Sequence, residues 1–557
     1  MTSALRFWLI VLLIFLFSPQ ALCLYDDLWQ VQQVQSDKYF RYDFIVDGEG
    51  NALVRIRFYA RGEGRSSWVL VPRFSEWLNY TIKGRIYKWV LEDTERYAGS
   101  QYYFYSVLDF QFMPEGNEFE MLIEYNFSLA AMFVENESKY GIFYSPMIGF
   151  EGKSGFEAAV IFSKRFRANL DEALAIGKSS YRPDSKLSNS SFIFFRMMPA
   201  AENLLRIQVG FEVISGEPNL VTIESGIFKF NTVKRYEAHA WKILKLYNST
   251  YETLIDIFNT TLEQYLPSGS RKNITVRFFV PDFNSLMAIG GYVPFSGREL
   301  GDIHLNIVFA RYIEGYLEVI ALHELIHHFL WKAGISPQNL LWFHEGMAQY
   351  ISIEIASSLD YEGAKMIKDE IENRSKALRA TLSDFSFLID WTPSKAPKDL
   401  NTLYTAAYYV VSRLAEDYGG LKYYARFFRA LNNKSIRDNA ALCYYLSVAA
   451  NESVANRLNA LGFNVPDIYA YWPLINAIEK AIGEINPNSI ILKPFKDIAN
   501  IIYRVGTSSE GIFIEERYLI LVAALIIARF APLIALLTYS SLIFAALIIL
   551  LKVKKVL

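Results

Sequence analysis

Residues 530–551 are almost wholly apolar, and Lys552, Lys554 and Lys555 follow them. As a helix, 22 residues rise about 33 Å, close to the hydrocarbon thickness of a bilayer. The run predicts one transmembrane helix, and the positive charge after it places the tail in the cytoplasm and the bulk of the chain outside. The stretch before it, 518–528, is also apolar, but Arg529 and Pro532 interrupt the pattern. It reads as interfacial, or as the start of one long tilted helix. A two-helix hairpin would put the three lysines outside, against the charge rule.

The other end agrees. Arg6 precedes an apolar run of 11 residues, 7–17, then Ser18-Pro19, with Ala21 and Cys23 as small residues at a cleavage site. This is the pattern of a signal peptide over 1–23, too short to span a bilayer comfortably. Leu22 before Cys23 argues against a lipoprotein signal, and an uncleaved anchor is the alternative. Asn-x-Ser/Thr acceptors begin at Asn79, Asn126, Asn136, Asn189, Asn248, Asn259, Asn273, Asn373, Asn433 and Asn451. Composition alone would give roughly 3. All lie between the two apolar ends, as expected of a glycoprotein exposed outside the cytoplasm.

The chain has 557 residues, 56 basic and 58 acidic, for a net charge of −2. That length suits two to four domains, and the charge balance excludes the basic face of a nucleic-acid binder. With 52% apolar and 16% aromatic residues it is not a disordered chain, and two cysteines build no disulfide framework.

From 38 to 230 apolar residues alternate with period two. In Ala52-Leu-Val-Arg-Ile-Arg-Phe-Tyr-Ala60, Val54, Ile56 and Phe58 share one face, and Arg55 and Arg57 the other. Segments 102–112, 119–125, 158–162, 192–197 and 204–214 read alike, which predicts a β-rich region of sandwich type, one or two modules. Near Val233 the period changes. Residues 234–265 read as one or two amphipathic helices, 273–280 and 303–309 as strands, and 312–482 as mainly helical.

Four of the six histidines fall between His323 and His344. In His323-Glu324-Leu325-Ile326-His327 the imidazoles stand at i and i+4, on one face of a helix, where both reach one zinc ion. Glu324, beside the first ligand, is placed to take a proton from a zinc-bound water. A catalytic zinc needs a third protein ligand. Glu345, in Trp342-Phe-His-Glu345-Gly-Met-Ala348, lies 18 positions after His327. That distance leaves room for a turn and a second helix to bring it back. His328 and His344 adjoin ligands and point about 100° away from them, as supporting or core residues.

These motifs resemble the gluzincin clan of metallopeptidases, particularly the M1-type aminopeptidases and the related peptidase-MA-like group. The resemblance covers about 273–420 firmly and the β region loosely, with a third-ligand spacing one residue shorter than usual. It implies an α+β protein: a β domain ahead of a thermolysin-like zincin domain. It implies one Zn2+, held by His323, His327 and Glu345, with Glu324 as catalytic base. By register from Gly419-Gly420 it implies Tyr404 as the oxyanion-stabilising phenol. Ala407 stands where relatives have Gly, and Tyr408 competes. It implies Glu299, in Gly297-Arg-Glu299-Leu300, as the carboxylate that reads a substrate's amino group, although the flanking Met and Asn are absent. Relatives also carry an acid one or two turns after the Glu ligand. Gln349 and Ser352 stand there instead, which leaves the partner of the zinc-bound His unassigned.

The expected organisation is therefore a signal peptide (1–23), a β-rich domain (24–230) and a catalytic domain with a helical part (231–485). A juxtamembrane stalk (486–517), a transmembrane region (518–551) and a cytoplasmic tail (552–557) follow. The expected activity is peptide-bond hydrolysis outside the cytoplasm, aminopeptidase slightly ahead of endopeptidase. The substrate is a peptide or protein, held along the strand at 303–309. A catalytically silent ectodomain used for binding is the alternative. An intramembrane protease is excluded by Glu314, Glu318, Glu324 and Lys332 around the motif.

Overall fold

The computed structural model describes residues 37–556 apart from 63–64, 74–75, 99–101, 103, 153, 198–203, 264–271, 296–298 and 508–513. The expected signal peptide lies outside the described residues. The chain divides into two compact units, one of residues 1–133 and 139–216, the other of 134–138 and 217–557.

The first unit is built from strands. A six-stranded sheet runs in the order Phe192–Met197, Gly155–Ile161, Lys38–Val46, Ala52–Arg61, Glu118–Phe127, Trp77–Lys83. A second six-stranded sheet centres on Leu204–Val213, and a three-stranded sheet on Tyr105–Met113. The alternation reads out directly. Val54, Ile56 and Phe58 are buried, while Arg55 on the other face meets Glu124 of the neighbouring strand at 2.5 Å. Phe58, Phe110 and Phe211, one from each sheet, belong to a single apolar core. With one core shared by three sheets, this is a single β-rich unit, not two modules.

The unit ends at Gly216, earlier than the expected boundary at 230. β1 (Leu220–Ser225) and β2 (Phe228–Val233) form a hairpin, and β2 then pairs in parallel with β3 (Ile274–Phe279). That pairing draws the hairpin into the second unit. A parallel pair needs a crossover, and α1 (Glu237–Phe258) supplies it. α1 is one helix, shorter than the 234–265 pattern: a 3-10 turn at Lys234–Tyr236 precedes it and left-handed Asn259 stops it. The five-stranded sheet is completed by β4 (Gly291–Tyr292) and β5 (Ile303–Asn306) in the order β1-β2-β3-β5-β4.

β5 corrects the strand expected at 303–309. It stops at Asn306, which is fully buried. The Asn306 side chain donates to the carbonyls of Leu286 and Ile289, both at 2.8 Å, and accepts from the Val308 N–H at 3.1 Å. These bonds turn the chain into a 3-10 helix at Ile307–Arg311. β5 is also flanked by β3 and β4, so its edge is not free; among the described residues, β4 is the sheet edge on that side and β1 the other.

Helices follow: α2 (Tyr316–Lys332), α3 (Leu341–Ser358), α4 (Glu362–Thr381), α5 (Leu400–Tyr418), α6 (Leu421–Leu431), α7 (Asn439–Ala450) and α8 (Trp472–Glu484). The region 486–517, expected as a stalk or terminal packing segment, is helical over 493–507 and again from 514 among its described residues. α9 (Lys493–Thr507) packs against α10 (Ile514–Arg529) because Ala499 and Gly506 leave room for close approach. α10 buries Leu521, Ala524 and Ala528, and the helix breaks at Phe530 before α11 (Ala531–Val556). A single long helix from 518 is therefore not formed. Within α11, Ala531–Leu551 is long and apolar enough to cross a membrane.

Candidate metal centre

α2 is held from behind. Tyr247 on α1 is fully buried and donates to the Ala321 carbonyl at 2.9 Å, one turn from the motif. Leu322, Ile326 and Phe329 bury the same helix in the core. His323 and His327 consequently share a side, their ring centroids 4.7 Å apart and the planes at 90°.

α3 brings Glu345 to that side. A Cβ on Gly346 would stand 2.7 Å from the Ala407 carbonyl oxygen, so only glycine lets α3 lie this close to α5. Glu345 Oε2 lies 3.2 Å from His323 Nε2 and 3.6 Å from His327 Nε2. Bonds of ~2.0–2.1 Å to a tetrahedral zinc put ligand atoms about 3.3 Å apart. The donor set, two imidazoles and a carboxylate, and its spacing both fit zinc. Among the described residues, His323, His327 and Glu345 form the group with donor atoms within 4.8 Å of one another.

The same packing brings in Tyr404 from α5. Its phenol lies within electrostatic reach of Glu345 and Glu324, and its ring packs edge-on against Trp391 at 5.2 Å. The charge of Glu345, then burial, hold the phenol protonated far above its usual range. Tyr408, one turn on, instead lies by Tyr350, and its electrostatic neighbours include Glu372 and Glu354.

Burial shapes the titration of each group. It pushes the Glu324 carboxyl up to about 8; Glu345 adds to this and His323 opposes it. Burial would lower His323, but its hydrogen bond with Glu345 and the charges of Glu324 and Glu345 raise it. Burial holds His327 well below the usual imidazole range. Glu345 is raised by burial but lowered more by His327, His323 and Tyr404.

The orienting partner missing from the sequence pattern is His344. Its Nδ1 lies 2.9 Å from His327 Nδ1, with the rings stacked at 4.7 Å. If His327 offers Nε2 to a metal, its Nδ1 carries the proton and donates, so His344 accepts at Nδ1 and keeps its proton on Nε2. Burial lowers His344 to about 3, so it is neutral and able to accept. Its Nε2 is buried with no hydrogen-bond partner among the described residues. Adjacency to Glu345 is the only sign of this role in the sequence. Which ligand His344 supports depends on how α3 lies on α2. Ser352 is buried with its hydroxyl on the Gln349 carbonyl at 3.1 Å, so it serves its own helix.

Glu299 is not brought to this cluster. It is exposed, pairs with Lys272 at 3.1 Å, and lines a cavity of about 430 Å³ with Asp302, His328 and Trp331. No member of the trio lines that cavity. What the trio has beside it is β4. A Cβ on Gly291 would lie 2.8 Å from Glu324 Cγ, so the bare backbone of the edge strand passes directly by Glu324.

No protein-family model matches the chain, and no curated protein does. Solved structures that overlap it include aminopeptidase A of Legionella pneumophila, at 10% identity and a TM-score of 0.27, covering 78% of this chain and 50% of that one. An M1 zinc metallopeptidase of Deinococcus radiodurans overlaps at 13% identity and a TM-score of 0.30, covering 78% and 96%. An aminopeptidase N family protein of Idiomarina loihiensis overlaps at 12% identity and a TM-score of 0.24, covering 78% and 75%. The chain spans about half the length of the Legionella enzyme. Overlaps this loose carry no argument about chemistry, which rests on the side chains described above.

Proposed function

We propose that the protein is a zinc-dependent peptidase, anchored by α11 with its catalytic unit outside the cytoplasm. The observation that carries this is the convergence of His323, His327 and Glu345, with Glu345 at tetrahedral-edge distances of 3.2 and 3.6 Å from the two imidazoles and Glu324 and Tyr404 beside them. A zinc ion bound there would act as a Lewis acid on water and on a peptide carbonyl.

The chain's own groups supply the rest. Glu324, buried beside the trio, takes up a proton from the attacking water and returns it to the leaving amine. Tyr404 stays protonated and donates toward the negative charge that develops on the carbonyl oxygen. β4 offers its free edge, next to Glu324, for a substrate backbone to add as a strand; this edge takes the role the sequence suggested for 303–309. With Glu299 paired to Lys272, no named residue favours a terminal over an internal cleavage site.

The topology is supported by the apolar length of Ala531–Leu551 and the lysines after it. Eight of the ten acceptor asparagines are exposed, and Asn136 and Asn273 are half-buried, so none is sealed in a core.

The test is zinc content and hydrolysis of a peptide library by the purified full chain, with Glu324→Gln as control. The variant is expected to keep its zinc and lose ~10²–10⁴-fold in rate, the worth of a general base. Equal hydrolysis by both proteins would remove the mechanism, and absence of hydrolysis by either would favour a silent binding ectodomain.

A further inference from the structure

The surface around α9 is apolar where a water-facing helix would be charged. Ile498, Ile501 and Val505 are all exposed, and they fall within about 60° of one another on a helical wheel. Lys493, Lys496, Asp497, Asn500 and Arg504 occupy a separate arc of about 100°. The third side, with Ala499 and Gly506, is buried against α10. The outward face is thus split lengthwise into an oily flank and a charged flank. In the turn before α9, Ile490 is 88% exposed and Ile491 is exposed beside it.

What covers this flank is indicated by where it lies. Phe495, next to the apolar arc, packs edge-on against Tyr539 of α11 with ring centroids 6.3 Å apart. Tyr539 Oη also reaches the Ile491 carbonyl at 3.4 Å. Tyr539 lies about 12 Å along α11 from Ala531. The start of α9 therefore sits beside the apolar helix, several residues into it, and not at its entrance. α11 exposes Leu536, Leu537, Leu542 and Ile543 along the same stretch. A bilayer that takes in the whole of Ala531–Leu551 reaches the Ile490–Ile491 turn.

We infer that the Ile490–Ile491 turn enters the acyl layer of the bilayer that α11 crosses, and that the Ile498–Ile501–Val505 flank of α9 lies against the lipid above it. This rests on the membrane reading given above. The occupant is lipid, because the apolar flank adjoins α11 while the charged arc lies apart from it, with Lys496, Asn500 and Arg504 lining a cavity beside Lys434 and Glu479. The catalytic unit is then held against the membrane by a second contact besides its anchor, which restrains it from swinging freely on a single helix.

The experiment uses the full chain in nanodiscs, with Cys23 replaced by Ser; Cys443 is buried and does not compete for label. An environment-sensitive fluorophore is placed singly through Ile490→Cys, Ile501→Cys, Asn500→Cys and Leu542→Cys. Nitroxide-bearing lipids serve as quenchers. The expected result is quenching at 490, 501 and 542, and none beyond the aqueous level at 500. Quenching at 542 with none at 490 and 501 overturns the inference and leaves the membrane reading standing. No quenching at 542 overturns both. Equal quenching at 500 and 501 overturns the assignment of the apolar flank as the lipid-facing one.

Discussion

On one side of α2, His323 and His327 converge with Glu345. On the other side, a single residue along, His328 looks into a cavity with Glu299 and Asp302. Both sides gather imidazole and carboxylate. They differ in what the carboxylates already hold. Glu299 is matched by Lys272 at 3.1 Å and Asp302 by Arg277 at 2.9 Å, so their charge is spent on fixed cations. The partners of Glu345 are two imidazoles and a phenol. A cluster becomes a metal site when its negative charge is left for the metal and its donors meet at one point.

The largest expected effect breaks the converging side. Glu345→Gln removes one of three ligands, about a third of the ~10–16 kcal/mol of a well-formed zinc site, and is expected to weaken zinc by about a thousand-fold. Chelator competition measures it. Undiminished zinc affinity would mean that the trio is not the centre.

Next is Tyr404→Phe, expected to lower kcat by ~10²–10³-fold, as for loss of one oxyanion donor, with zinc content unchanged. Tyr408→Phe serves as its companion and is expected to leave kcat alone. The reverse ranking would return Tyr408 to the site.

A smaller effect sharpens the comparison. His344→Ala should weaken zinc by ~10–100-fold through loss of the partner that orients His327. His344→Asn, whose carbonyl can accept the same N–H, should restore most of it. Equal affinity in all three proteins would make His344 a packing residue only.

The smallest effect is expected on the far side. Glu299→Gln and His328→Gln should change zinc affinity by less than about twofold, since neither touches the trio. A tenfold loss in either would mean that the two faces of α2 are coupled.

Much of the centre and of the β-rich unit is legible in the amino-acid order. The i, i+4 imidazoles, the carboxylate between them and the alternation at 52–60 are local patterns, and local geometry decides which side such residues face. The parts where pattern and fold disagree share another character. The strand expected at 303–309 has suitable residues, but buried Asn306 bonds to Leu286 and Ile289 and ends it early. Glu299 stands at a suitable distance from His323 in sequence, but Lys272 and the path of the loop carry it to another cavity. The segment 486–517 says little by itself, and a stalk or a terminal packing segment fits it equally; only contact with the distant α10 shows where α9 packs.

By itself, then, the sequence determined what repeats at short range: strands, helices, the long apolar C-terminal run and the two histidines on one helical face. Tertiary structure alone decided that His344 supports His327, that Tyr404 and not Tyr408 meets Glu345, and that β4 is the open edge beside Glu324. Those choices depend on which distant segments touch, and at contacts such as Gly346 on Ala407 a single methyl group would decide the approach. No periodicity along the chain encodes that distance.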